Sequence, residues 1–212
     1  MLGSAVLRSF AGKPEFDVYG TARSQHVGRF FDKSIAGRML TGYDLLNQDQ
    51  LVILFERTRP NTVIHFAGLV KQLPESTDAL RAIPVDSLLP HRLARLCQIA
   101  GARLIHMSTD CVFSGKKGGC TEEDEADAPD VYGRSKLLGE VQGPNAVTLR
   151  TSIIGHELEG NRSLINWFLS QEGHVRGFTR TDIRLVSHRI RRIEWVSLGV
   201  ARCRSAGRAG VS

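Results

Sequence analysis

The sequence predicts an α/β fold with a doubly wound parallel sheet, and three observations carry that prediction. Short apolar runs alternate with segments of helical period through most of the chain. The runs show little polar alternation, which suits strands buried on both faces. Gly, Pro, Asn or Asp bounds each of them, as turns between elements require. Alternation of this kind implies right-handed βαβ crossovers.

The elements follow in order. Asp17-Val18-Tyr19-Gly20 reads as a strand. In Gln48–Arg59 the residues Leu51, Leu54, Phe55 and Thr58 recur at helical spacing, and Pro60 stops the pattern. Thr62–Phe66 is the next strand. Ser87–Gly101 carries the stripe Leu89, Leu93, Leu96 and Ala100, with Gly101 placed as a C-terminal cap. Arg103–Met107 and Ala146–Arg150 are strands, separated by a helix over Tyr132–Val141 that Gly143-Pro144 closes. A last helix is predicted over Ser163–Glu172, closed by Gly173. Between them, Glu122–Pro129 is an acidic, solvated connection.

Composition narrows the class. The chain has 212 residues, 42% hydrophobic and 24% charged, which is ordinary for one globular domain and part of a second. No apolar run approaches the roughly 20 residues of a membrane span. The N-terminus has no basic region ahead of its apolar residues, so no signal peptide is expected. Four scattered cysteines without a C-x-x-C pair then point to a reducing cytoplasm. His106, Cys111 and Cys120 match no zinc spacing, and no metal is expected. The net charge of +6 is confined to residues 180–212, which hold eight arginines against two acids; residues 1–179 balance at 20 each. A neutral body with a basic tail is not a nucleic-acid groove.

The chemistry sits in two segments. Ser108-Thr109-Asp110-Cys111-Val112-Phe113-Ser114-Gly115 directly follows a strand, where side chains face the ligand crevice of an open α/β sheet. Tyr132-Gly133-Arg134-Ser135-Lys136 opens a helix, and the spacing of four puts Tyr132 and Lys136 on one face. A phenol with an ordinary pKa near ~10 is a poor acid–base group at neutral pH. A neighbouring ammonium stabilises the phenolate and is expected to lower that value. The Thr109 hydroxyl can hold a substrate oxygen beside the phenol. Taken alone, a Tyr and Lys at this spacing are often only solvent neighbours; the strand-end Ser-Thr-Asp ahead of them makes the pattern specific.

From Val63 to Gly155 the chain resembles the extended short-chain dehydrogenase/reductases, and within them the dTDP-4-dehydrorhamnose reductase branch. Ser108–Gly115 matches S-T-D-x-V-F-x-G, Tyr132–Glu140 matches Y-G-x-[ST]-K-x-x-G-E, and Leu149-Arg150-Thr151 matches L-R-T. The related sugar epimerases and dehydratases usually carry S-S-x-x-V-Y-G at the first of these. The resemblance implies a Rossmann-like NAD(P)-binding domain over residues 1–155, the start of a substrate-binding part over 156–179, and a basic, irregular tail over 180–212. It makes Tyr132 the proton donor, Lys136 the group that binds ribose and lowers the phenol pKa, and Thr109 the third catalytic hydroxyl. Ser108 and Asp110 would line the substrate. Gly3, Arg23, Asp44, Leu45, Phe66, Ala67 and Gly68 would meet the cofactor together with Tyr132 and Lys136. Arg23 stands where a 2′-phosphate would be met and favours NADP over NAD. The implied reaction is NAD(P)H-dependent reduction of the C4 keto group of a dTDP-4-keto-6-deoxy sugar in dTDP-L-rhamnose biosynthesis. The implied partner is the nucleotide sugar, with no nucleic acid and no membrane. The same scaffold also serves as a non-catalytic, nucleotide-binding regulatory subunit, or as an epimerase or dehydratase.

Three departures from the family pattern stand out. Met1–Leu7 resembles the end of the G-x-x-G-x-x-G fingerprint, with Gly3 as its third glycine, so the resemblance leads to the expectation that the first strand is missing. The strands around Val18 and Ile64 are then expected to pair directly or to leave a gap. Asp86 stands where Asn commonly supports the lysine through water, and a carboxylate accepts hydrogen bonds but cannot donate them. After Thr179 the sequence turns Arg- and Ser-rich, as a shifted reading frame would read, and only a remnant of the substrate domain precedes it. Cofactor binding and turnover by the chain as written are expected to be impaired.

Overall fold

The computed structural model describes residues 1–174 and 199–203. In chain order the helices and strands are α1 (Leu2–Ala11), β1 (Phe16–Ala22), α2 (Lys33–Ala36), β2 (Met39–Thr41), α3 (Gln48–Thr58), β3 (Thr62–His65), α4 (Ala79–Ala82), α5 (Leu89–Ile99), β4 (Arg103–Ser108), α6 (Val131–Leu138), β5 (Ala146–Arg150), α7 (Leu164–Leu169) and β6 (Gly199–Cys203). The strands form one sheet in the order β2-β1-β6-β3-β4-β5. The β1–β2, β3–β4 and β4–β5 pairs are parallel, as the alternation predicts.

The centre of the sheet differs from expectation. The strands around Val18 and Ile64 neither pair directly nor face a gap: β6 lies between them and runs antiparallel to both. Val18 pairs with Ala201, and Val63 with Val200. The facing edges of β1 and β3 present rows of backbone donors and acceptors that must be satisfied somewhere. An antiparallel strand satisfies them as well as a parallel one does. The segment comes from the tail that the sequence reads as irregular.

The helices follow local rules. Asn47 caps α3 by accepting from the Gln50 N–H, and Arg59 ends it in the left-handed region at φ 41°, just before Pro60. The helix predicted from Ser87 begins earlier. After α4 the turns widen over Ile83–Leu88 into a π segment that runs straight into α5. Pro84 lies in this segment and supplies no N–H to an α-helical ladder. Gly101 ends α5 at φ 66°, and the Ala102 N–H bonds back to the Cys97 carbonyl, which closes the helix as the sequence predicts. Helix α1 covers Gly3, which is buried in its first turn.

Two apolar clusters hold the layers together. Leu51, Val63, Leu89, Leu93, Cys97, Ala102, Leu104 and Val141 pack α3 and α5 against β3 and β4. Ala5, Leu7 and Val18 pack α1 on β1, with Phe10 set edge-on to Phe16 at 4.8 Å between ring centres. Burying each leucine contributes about 2 kcal/mol before conformational entropy is counted. No helix among the described residues is long and apolar enough to cross a membrane.

Candidate active site

Strand β4 delivers the first group. Its residues Leu104, His106 and Ser108 point into the buried side, and the chain then turns at Thr109. The Thr109 hydroxyl caps the turn Asp110–Val112, accepting from the Cys111 N–H at 3.2 Å and donating to Asp110 Oδ1 at 3.2 Å. Helix α6 delivers the second group. Asp130 caps it by accepting from the Gly133 N–H at 2.7 Å, and Lys71 holds the other oxygen of Asp130 at 2.8 Å. Gly133 lets the first turn of α6 press on the β4 loop, since a Cβ there would lie 2.4 Å from the Cys111 carbonyl oxygen. The Tyr132 phenol is thereby set close to the Thr109 hydroxyl, and both residues are nearly buried.

One turn further along α6, Lys136 is 6% exposed, and its Nζ lies 3.2 Å from Asp86 Oδ1. Asp86 is wholly buried and comes from the π segment. Its Oδ1 also accepts from the Leu69 N–H at 2.9 Å. Gly68 fits beside the pair because it has no Cβ; one would stand 2.3 Å from Lys136 Nζ. Thr109, Tyr132, Lys136 and Gly68 are thus brought into one connected site, with Asp86 added.

The electrostatics differ from expectation. The Tyr132 phenol is pushed up rather than down. Burial is the main cause; the nearby Cys111, Asp86 and Asp110 add to it, and the Thr109 hydroxyl opposes it. The Lys136 ammonium, expected to lower it, is paired instead with Asp86 at 3.2 Å. Burial likewise pushes the Asp86 carboxyl up, with Lys136 and the Leu69 N–H offsetting part of the rise.

The other expected site residues fall differently. Ser108 is 5% exposed, and its hydroxyl donates to Glu140 Oε1 at 2.8 Å. Its partner is therefore the Glu140–Arg150 pair rather than an open crevice. Arg150 binds both oxygens of Glu140 at 2.8 Å and lies over the Phe113 ring. The alternation of β4, with Ser108 on the face of Leu104 and His106, is the signal that would have shown this. Asp110 is exposed; its Oδ2 accepts from the Ser152 hydroxyl. Phe66 and Ala67 are half-buried in the loop after β3. Arg23 is exposed after β1, and the Asp44 carboxylate is occupied by the Leu46 N–H of its own turn. Leu45 packs against the larger apolar cluster.

One feature was not anticipated. His65 of β3 and His106 of β4 are cross-strand partners, fully buried, with their Nδ1 atoms 2.9 Å apart and their rings stacked. One Nδ1 must donate and the other accept, so the pair holds opposite tautomers. Burial pushes both well below the ordinary value, His106 to about 3, and the Lys136 charge adds to the effect.

The sequence profile of the RmlD substrate binding domain matches residues 1–176. Over 87 residues the chain is 44% identical to the dTDP-4-dehydrorhamnose reductase of Mycobacterium tuberculosis (strain CDC 1551 / Oshkosh), covering 37% of this chain and 28% of that protein. Over 164 residues it is 29% identical to methionine adenosyltransferase 2 subunit beta of Danio rerio, covering 75% and 46%. Its fold is similar to the crystal structure of a dTDP-4-dehydrorhamnose reductase from Clostridium acetobutylicum ATCC 824, with a TM-score of 0.56 and 24% identity, over 70% of this chain and 56% of that one. The matched stretches span 28% and 46% of the length of the two curated relatives.

Proposed function

The chain belongs to the RmlD substrate binding domain family, and from that membership we propose that it is an NAD(P)H-dependent reductase of a dTDP-4-keto-6-deoxy sugar. The observation that carries the reading is the proximity of the buried Thr109, Tyr132 and Lys136. Tyr132 donates its proton to the oxygen of the C4 keto group, and the Thr109 hydroxyl holds that oxygen in place. Lys136 faces the loop Phe66–Gly68, and the missing Cβ of Gly68 leaves its ammonium room to meet a ribose hydroxyl. The residues present therefore fit a nicotinamide dinucleotide, which supplies the hydride when bound. Arg23, exposed at the end of β1, would meet a 2′-phosphate and favours NADP over NAD. The assigned partner is the nucleotide sugar, and the assigned compartment is the cytoplasm.

The test is turnover with NADPH and a dTDP-4-keto-6-deoxy sugar, followed by NADPH absorbance. Tyr132→Phe is expected to lower the rate by about 10²–10⁴-fold while cofactor binding, measured by calorimetry, persists. Lys136→Ala should weaken both. An unchanged rate in Tyr132→Phe would remove the proton-donor assignment. A second reading, a nucleotide-binding subunit without turnover, draws on the likeness to the Danio rerio subunit over 75% of this chain. A stable partner enzyme recovered with the chain, together with no NADPH consumption, would favour it.

A further inference from the structure

We propose that Asp86 is a positioning residue that holds the Lys136 ammonium as one half of a buried ion pair, so that Tyr132 works as a neutral proton donor and not as a phenolate. The inference rests on the reading of Tyr132 as the proton donor. It starts from a departure: Asp stands where the resembling family commonly has Asn.

The geometry shows why the charge matters. Asp86 is 1% exposed and Lys136 6%, so neither group has water to shield it. A buried ammonium without a counter-charge is strongly disfavoured, and the carboxylate supplies that charge at 3.2 Å. Asp86 is itself fixed on several sides. The Leu69 N–H donates to the same Oδ1, and the next residue, Ser87, donates to the Ser135 carbonyl of α6 at 2.8 Å. Gly139 packs directly on the Asp86 carbonyl, where a Cβ would lie 1.8 Å away. Asp86 Oδ2 is buried and has no hydrogen-bond partner among the described residues. An Asn could accept both bonds through one oxygen, so hydrogen bonding alone does not require Asp here. What only Asp supplies is the negative charge.

The charged and titratable groups around the phenol are Asp86 from the π segment, Lys136 from its own helix, and Cys111 and Asp110 from the β4 loop. His65 and His106 lie on the sheet within the field of Lys136, and both are held neutral. Lys71 is drawn to Asp130, Cys111 and Asp110. Asp86 offsets the Lys136 charge at 3.2 Å and, as a nearby negative charge, adds to the rise of the phenol that burial mainly causes.

The experiment is an ultraviolet titration of tyrosine ionisation in the full chain. Subtracting the matching Tyr132→Phe protein removes the other two of the three tyrosines. In the parent, Tyr132 is expected to ionise above the ordinary value near ~10. Asp86→Asn should lower its pKa by at least about one unit, a tenfold change in its ionisation constant. If that single variant fails to melt cooperatively, the double variant Asp86→Asn/Lys136→Met, with both charges removed, decides. It should titrate within about half a unit of the parent, since a cancelled pair and no pair exert nearly the same field. An unmoved Asp86→Asn, or a large shift in the double variant, overturns the proposal. The titration needs no substrate. A chain that shows these shifts but never consumes NADPH sinks the reductase reading alone. An active chain without the shifts sinks this inference alone.

Discussion

The two flanks of the sheet are built on different plans. On the β3–β4–β5 side, polar groups are buried and bonded across elements that are distant in sequence. Asp86 meets Lys136, Ser87 meets the Ser135 carbonyl, His65 meets His106, and Ser108 joins Glu140 and Arg150. On the β1–β2 side most side-chain bonds are local or exposed. Ser24 caps its own turn by accepting from the His26 N–H, and the Arg38–Asp17 pair is 42% and 31% exposed at 3.3 Å. Among the described residues the apolar clusters show the same contrast, eight buried residues against three. Buried polar contacts between remote elements tie the first flank together, and that is where Tyr132 sits. The second flank can change without disturbing it.

The sharpest way to break this contrast is to add one methyl group on each flank. Gly139→Ala would drive a Cβ to 1.8 Å from the Asp86 carbonyl, a backbone atom that cannot swing away. The helix or the π segment must then shift, at a cost of about 3 kcal/mol or more. Gly20→Ala on β1 meets only the ends of the Met39 and Leu7 side chains. Those can rotate, and methionine is adaptable, so about 1 kcal/mol is expected. Denaturant midpoints check both. Equal losses would mean that the flanks are equally rigid.

A smaller contrast lies in the ion pairs. Arg150 and Glu140 have side chains 25% and 11% exposed and are bidentate. Arg150→Ala leaves Glu140 and the Ser108 hydroxyl without their cation and should cost about 2 kcal/mol, discounted for partial exposure. Arg38→Ala should cost about 0.5 kcal/mol or less. Thermal melts at neutral pH and low salt check the difference. A loss in Arg38→Ala as large as in Arg150→Ala would erase it.

Legibility in the sequence follows the same divide, in a particular way. Strands β1, β3, β4 and β5 were readable because each is a short apolar run between turn residues. Tyr132, Lys136 and Thr109 were readable as a set because one helix spacing and one strand end place them. Strand β2 has only three residues and no pattern of its own. Strand β6 lies in an Arg-rich tail and is defined by the two edges it joins, not by its own residues. The direct Asp86–Lys136 pair depends on Gly68 and Gly139 admitting close contacts between remote segments. The sequence reading identified Asp86 as a departure but could not supply the 3.2 Å approach that turns a water relay into an ion pair. The upward direction of Tyr132 comes mainly from its burial, which only the tertiary packing supplies.

The last effect is a slope, and it comes entirely from the networked flank. His65 and His106 are both buried and neutral, with values pushed below the ordinary one, His106 to about 3. The unfolded chain binds a proton at each near ~6.5, whereas the folded chain does not until far lower pH. Between those values the unfolded state holds more protons, so stability rises with pH and is lost as pH falls. The loss therefore begins as pH drops through ~6.5 and continues down towards the folded values. From pH 7 to pH 6 it should amount to about 1 kcal/mol for the pair. His65→Leu/His106→Leu replaces both rings with apolar side chains of similar size and leaves no half-satisfied partner. It should change stability little at pH 8 and flatten the decline below pH 7. Melting temperatures of the parent and the double variant from pH 8 to pH 5 give the comparison. Parallel curves would show that the stacked histidines do not carry the acid sensitivity, and would place it with the carboxylates instead.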